Sequence, residues 1–502
     1  MTRSEKRIFL FLSILITLVY AGVFSSISLW NHYVFRTFAF DLGIKNQALW
    51  DYAHLRMNFN TVITLLDGEA NILSNHFEPT LMLFAPFYYL FGSYTLLVMQ
   101  IIFWLIGGWG IRRLILRAGG SIWLAMMTML VFYSMWGVIG AIGFDYHANV
   151  IAAAVVPWFF VFAYERKPLA AALILFFVMN SKENMALWAV FLSVGILWHF
   201  RRDKNQRKWY IALTLFSAVY FLLIMTVFMP YFAQGKVSYP HFRYSALGGS
   251  MGEALKTLIT RPAQWIPLIW DDGTTGQPLS SNPKLQLYWH VFLSGALLLL
   301  FRPKFIIMLI PIIAQKIFSD DPMHWGIYNH YSIEFVPIIA AAGGLTLAAV
   351  KNKKIHFMIG VLWLLSVLDA TKGFMDAWQP NPYNRTQIRF YKSSHYTREI
   401  PYEAYHKILT YYIPKDASVS ATSYLVPHLA MRERIYQFPH IGDAEYVVVA
   451  EDFRSYYPFP FEDKSKYIDA RDRIENDSSF VIVFRDRRLL ISKRKYNVSF
   501  IK

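Results

Sequence analysis

Asp41, in FAFDLGIKNQALW at residues 38 to 50, is open to two uses. It precedes the helical pattern LGIKNQALWDYAHL, so its carboxylate can cap that helix by accepting from free backbone N–H groups. It also stands where a preceding apolar segment should leave a membrane, and a carboxylate in such a crevice can take a proton from an incoming hydroxyl. Other stretches carry comparable chemistry. In NHFEP, His76 and Glu78 can orient one another or hold a cation, or simply end a loop at a proline. In GFDYHANV, Asp145 and His147 flank Tyr146 and can share a proton or clasp a hydroxyl, although a tyrosine there also suits an interfacial aromatic belt. SKEN sets Lys182 beside Glu183 in an otherwise apolar hairpin, where ionisable groups usually face a polar cavity and find partners. YPHFRYSALGG joins His241 and Arg243 to two tyrosines: guanidinium forks onto phosphate oxygens, and aromatic rings stack on the apolar faces of sugars. YNHYSIEF places His330 just before an apolar run that contains Glu334.

The elements that must hold these groups are membrane helices. The chain has 502 residues, 55% hydrophobic and 16% charged, with a mean hydropathy of +0.32, which is too apolar for an ordinary soluble protein. Its net charge of +16 lies in short clusters between apolar runs, the pattern of cytoplasmic loops and not of a nucleic-acid face. The absence of cysteine excludes disulfides, thiolate metal sites and a cysteine nucleophile.

Assigning the basic clusters to the cytoplasm threads the chain through about eleven spans, beginning with a retained first span at 8 to 30. The others fall at 94 to 111, 121 to 142, 149 to 164, either side of SKEN, 209 to 230, 286 to 301, 304 to 318, 332 to 350 and 355 to 372. Residues 79 to 92 are a further span or a helix that dips into the membrane. This threading puts the N-terminus inside, outer loops at 31 to 93 and 231 to 285, and a soluble extracytoplasmic α/β domain at 373 to 502 after a transmembrane domain at 1 to 372. In that last domain PYEAYHKILTYYI has a helical pattern, ASVSAT and then AEYVVVAED follow it, and SFVIVFRDRRLLISKR reads as two strands joined by a charged turn. The threading also gathers Asp41, His76, Glu78, Asp145, His147, Lys182, Glu183, His241, Arg243, His330 and Glu334 on or near one side of the membrane.

FDLGIKNQALW, NHFEPTLMLFAPFYYLFG, GFDYHANV, SKEN, YPHFRYSALGG, NHYSIEFVPIIAAAGGL and IPKDASVSATSYLVPHLAMRERIYQFP together resemble the successive blocks of a prokaryotic membrane-protein family, number 2079 among domains of unknown function, over roughly residues 35 to 450. That family in turn resembles the GT-C glycosyltransferases, integral membrane enzymes that take a sugar from a polyprenyl-phosphate carrier at the outer face of the cell membrane. The resemblance implies a GT-C-like helical domain in which the first-outer-loop carboxylate, here Asp41, is the general base or acceptor-binding group, and the base is the role expected of it. Leu42 follows Asp41, so the paired Asp-Glu of the protein-mannosylating and aminoarabinose-transferring relatives is absent, and NHFEP only loosely resembles their second motif. The implied partners are a polyprenyl-phosphate-linked sugar, membrane lipid and a glycan, lipid or protein acceptor, with no nucleic acid. The cations Lys182, His241, Arg243 and His330 suit the departing phosphate. His76, Glu78, Asp145, His147 and Glu183 complete the expected substrate-binding set. No cofactor is required, and a divalent metal is compatible with the scheme. The competing classes are a transporter or flippase of lipid-linked or polar solutes, and a non-catalytic lipid-binding membrane protein. A transporter would carry its ionisable groups nearer the midplane, often with repeat symmetry, and no repeat is visible.

Overall fold

A computed structural model describes residues 3–62, 71–234, 241–270, 282–377, 387–450 and 464–495. The fold is a bundle of apolar helices with a small C-terminal sheet. Each expected span coincides with a helix or a broken helix. Among the described residues, Arg7–Tyr33, Leu81–Arg117, Lys204–Ala233 and Lys354–Asp376 are long and apolar enough to cross a membrane unaided. The expected third span is instead two helices, Ile122–Ser134 and Trp136–Ile142, bent by 46° at an extended Met135. Ala148–Tyr164, Pro168–Met179 and Phe335–Ala348 are shorter apolar helices.

Local chemistry explains the interruptions. Ser121 caps its helix through the N–H of Leu124, and Asp203 and Asn352 do the same for the helices that follow them. The segment at 286 to 301 breaks at Gly295, whose φ of +113° suits glycine, and a Cβ there would lie 2.5 Å from the indole nitrogen of Trp363. Residues 81–94 form short helical turns that run directly into Thr95–Arg117. They bury Leu81, Phe84 and Ala85 and expose Met82, Leu83, Tyr89 and Leu90, so the segment is a one-sided lead-in to the next helix.

The basic clusters meet at one end of the bundle. Arg113 pairs with Glu165 at 2.6 Å, Arg166 with Asp203 at 3.2 Å, and Lys304 donates to His199 at 2.7 Å. Asp41 lies in a turn that packs on the C-terminal module.

That module contains the helix Tyr402–Tyr412 and a five-stranded sheet. Its strands are β1 (Val419–Ala421), β2 (Ile435–Gln437), β3 (Tyr446–Ala450), β4 (Phe480–Arg485) and β5 (Leu489–Arg494), in the order β2-β1-β3-β5-β4. The first three are parallel, and β4 and β5 form an antiparallel hairpin. Strand β2 and the helix Lys464–Asn476 are additions to the sequence reading; a three-residue strand is too short to show an alternating pattern. The sheet is not a detached body. One hydrophobic core runs without interruption from Phe24 through the bundle to Val419, Val448 and Ile491. Polar contacts reinforce the join: Arg36 donates to the carbonyls of His395 and Thr397 at 2.7 Å, and Asn46 donates to Pro427 O at 3.0 Å.

Candidate active site

Residues Ala39–Gly43 form one wide helical turn that continues into the helix Ile44–Ala53. Asp41 lies inside that turn, and its side chain caps neither helical start, which removes the capping reading. The task falls to Asp145, whose Oδ2 accepts from Phe38 N at 2.9 Å and Leu42 N at 3.4 Å. Asp145 therefore positions the Asp41 turn, a different role from the substrate contact expected of it. It holds a φ of +45°, which aspartate tolerates better than most residues. Gly43 lets the turn press on the C-terminal module: a Cβ there would lie 2.8 Å from Val426 Cγ1. The side chain of Asp41 is 22% exposed, and its Oδ1 lies 3.8 Å from His147 Nε2. Burial pushes its carboxyl up to about 6 against the pull of Lys45 and Lys182.

The surrounding groups are drawn from several elements. His147 stacks on His330 with ring centroids 3.4 Å apart, and its backbone N–H donates to Gln100 Oε1 at 3.1 Å. Gln100 also donates to the carbonyl of Asp145, so one glutamine of a membrane helix fixes both ends of that turn. Asp145 and His147 were expected to act as a pair; His147 instead faces Asp41.

His76 and Glu78 likewise part company. His76 Nδ1 lies 3.1 Å from Glu183 Oε1, while Glu78 pairs with Lys45 and accepts from the Tyr146 hydroxyl at 2.8 Å. Each buried carboxylate has taken an opposite charge or donor from another element, because leaving it unpaired would be costly. His241 stacks on His76 at 4.3 Å, and its Nε2 lies 3.1 Å from Asn75 Oδ1. Burial holds His76 down to about 4, with the charge of Lys182 adding to the effect, so the ring is neutral near pH 7. Among the described residues, no three His, Asp or Glu side chains converge as metal ligands would.

Lys182 is half-buried in an extended backbone immediately before the helix Glu183–His199. Among the described residues it makes no ion pair. Its charge nonetheless bears on Asp41, His76, His147, Glu183 and His330. Arg243 is the more open cation: its side chain is 58% exposed and sits 3.9 Å from Asp321 Oδ2. Tyr239, and residues 271 to 281 of the second outer loop, lie outside the described residues.

Three contributors escaped the sequence reading. Lys45 stands four residues after Asp41, a helical spacing that signals a neighbour. Gln100 and Asn149, which donates to Glu334 Oε1 at 2.8 Å, carried no local signal, since each is one neutral amide in an apolar helix.

The chain matches the family described as "Predicted membrane protein (DUF2079)" over residues 31–455. No curated protein matches it. Among solved structures it is similar to ArnT from Cupriavidus metallidurans bound to undecaprenyl phosphate, with a TM-score of 0.54 and 13% identity over 96% of this chain and 97% of that one. The apo state of the same ArnT gives a TM-score of 0.50 at 12% identity, covering 97% and 98%. The apo oligosaccharyltransferase of Archaeoglobus fulgidus gives a TM-score of 0.46 at 12% identity, covering 87% and 69%. The fold is thus GT-C-like.

Proposed function

We propose, from the premise that this chain belongs to the DUF2079 family of predicted membrane proteins, that it is an integral membrane glycosyltransferase. It moves a sugar from a polyprenyl phosphate to an acceptor hydroxyl at the outer face of the membrane. The observation that carries this reading is Asp41, a partly exposed carboxylate that caps nothing and lies 3.8 Å from His147 Nε2; Lys182, a lysine without an ion pair among the described residues, acts on its charge. That ArnT was solved with undecaprenyl phosphate supports a lipid-phosphate donor.

In this scheme Asp41 takes the proton of the acceptor hydroxyl as its oxygen attacks the anomeric carbon. The bond from that carbon to the phosphate oxygen breaks, and the electron pair leaves with the phosphate. The transition state is oxocarbenium-like, as in glycoside hydrolysis, and Lys182 meets the charge that develops on the leaving group. A single displacement inverts the anomeric centre.

The test is transfer by the reconstituted protein from a panel of polyprenyl-phosphate hexoses, followed across pH. A base that titrates at about 6 is inactive when protonated. Below that pH, kcat/KM should therefore fall about tenfold per pH unit, and above it the profile should level off. A flat profile between pH 4.5 and 8 would remove Asp41 from the role of base. Absence of transfer from every member of the panel, despite bound lipid phosphate, would favour the non-catalytic lipid-binding class.

Orientation is a separate expectation. The basic end of the bundle is assigned to the cytoplasm. A reporter fused after Lys353 should read cytoplasmic and one at the C-terminus external. A cytoplasmic C-terminus would place the Asp41 cluster on the wrong side of the membrane for an external acceptor.

A further inference from the structure

The helix Pro168–Met179 has Lys182 just beyond one end and, at the other, an apolar groove that the proposed reaction does not use. Its start is tied to that of Lys204–Leu223 by Arg166 and Asp203, 3.2 Å apart, so the two helices leave the basic end of the bundle together. Between them lies a groove of about 290 Å³, lined by Pro168, Ala172 and Leu173 on one side and Trp209, Leu213 and Phe216 on the other, with almost no polar surface. It is open to the side: Leu173, Trp209 and Phe216 are 64%, 52% and 48% exposed. Aromatic rings limit its depth. Phe176, Phe216 and Tyr220 meet across the two helices with centroids 5.8 to 6.5 Å apart, and Phe176 lies two helical turns, about 12 Å, from Pro168.

The mouth of the groove is positively charged. Residues 165 to 167 and 201 to 208 carry seven basic side chains against two acids, an excess of five positive charges. Both acids are already engaged. Glu165 lies 2.6 Å from Arg113 and 2.8 Å from Lys167, while Asp203 meets Arg166 and accepts from the N–H groups of Asn205 and Gln206 at 3.1 Å. Lys204, Arg207 and Lys208 are exposed and form no ion pair among the described residues. Lys208 stands one helical turn before Ala212, which also lines the groove, and Lys204 one turn before Lys208, so both lie at its mouth.

We infer that this groove binds an anionic glycerophospholipid, with one acyl chain between the two helices and the phosphate against Lys204 and Lys208. Charge complementarity selects the occupant. A zwitterionic lipid fills the groove but leaves the excess charge at its mouth unmatched, whereas basic pockets between membrane helices favour anionic head groups. Trp209 suits the same place, since its half-exposed indole is of the kind that settles at the level of lipid head groups. The occupant is distinct from the polyprenyl phosphate of the proposed reaction: Lys182 lies beyond the opposite end of Pro168–Met179, so the groove opens to the other leaflet. The site therefore does not depend on the transferase reading.

The experiment is native mass spectrometry of the full chain in detergent, titrated with dioleoyl phosphatidylglycerol and dioleoyl phosphatidylcholine. The parent should bind the anionic lipid at least about tenfold more tightly than the zwitterionic one. Substituting Lys204→Gln together with Lys208→Gln alters only exposed side chains. It should remove most of that preference and leave phosphatidylcholine binding unchanged. Ala172→Trp fills the groove and should weaken phosphatidylglycerol binding at least about tenfold, with the thermal midpoint in lipid-free detergent held near the parent's. Undecaprenyl phosphate at equal concentration should not displace phosphatidylglycerol. Equal affinity of the parent for the two phospholipids, or an undiminished preference in the double lysine variant, would overturn the anionic site. Undiminished phosphatidylglycerol binding in folded Ala172→Trp would remove the acyl chain from this groove, and displacement by undecaprenyl phosphate would overturn the choice of a glycerophospholipid. None of these outcomes bears on sugar transfer.

Discussion

Asp41→Asn should fold, insert and bind the lipid donor nearly as well as the parent, yet transfer sugar at least about a hundred times more slowly, because loss of a positioned general base typically costs about 10²- to 10⁴-fold. The structure makes this a clean substitution. No backbone N–H at either helical start depends on the Asp41 side chain, and the turn is held by Asp145 and by packing of Gly43 on Val426. Asparagine keeps the size and the polarity that face His147. Stability should therefore move by less than about 1 kcal/mol, the scale of an altered cap. Paired measurements of thermal midpoint and of turnover at saturating donor decide the matter. Parental turnover would defeat the assignment of Asp41 as base, and with it the main residue-level reason for the transferase reading. A large loss of stability would mean that the carboxylate holds the turn after all.

Neutralising Lys182 is the second large effect. Among the described residues Lys182 forms no ion pair, so Lys182→Gln strands no buried carboxylate partner, whereas Lys45 would leave Glu78 behind. A hydrogen bond to a charged group contributes about 1.5 to 3 kcal/mol, which converts to a loss of roughly tenfold to a hundredfold in donor affinity. Acceptor affinity should barely change. Arg243→Gln is the useful comparison: its guanidinium is mostly exposed and already faces Asp321, so its loss should be the smaller of the two. Unchanged donor affinity in Lys182→Gln would move the phosphate site away from this cluster. A greater loss in Arg243→Gln than in Lys182→Gln would shift it to the rim.

How the cluster forms is only partly legible along the chain. Hydropathy located the helices because a membrane segment must satisfy its backbone internally and present apolar side chains throughout, and that demand is written locally. The β4–β5 hairpin was legible for the same kind of reason, as two strand patterns joined by a charged turn. The chemistry-bearing residues were also visible singly, since charge and imidazole are conspicuous in apolar surroundings. Their pairing was not. Neighbours in sequence, His76 with Glu78 and Asp145 with His147, were the natural couples, and the fold separates both.

What the sequence by itself determined, then, is a polytopic helical chain with a small α/β module and a set of polar residues too costly to bury without purpose. Only the tertiary structure decided that Asp145 caps the Asp41 turn, that Glu183 takes His76 and Glu78 takes Lys45, that His147 lies on His330, and that Lys182, unlike Lys45, has no ion pair among the described residues. It also decided that the module shares its core with the bundle. The reason is one of range: helix and strand periodicity come from interactions within a few residues, whereas each of these pairings joins segments 33 or more residues apart and depends on where the helices cross.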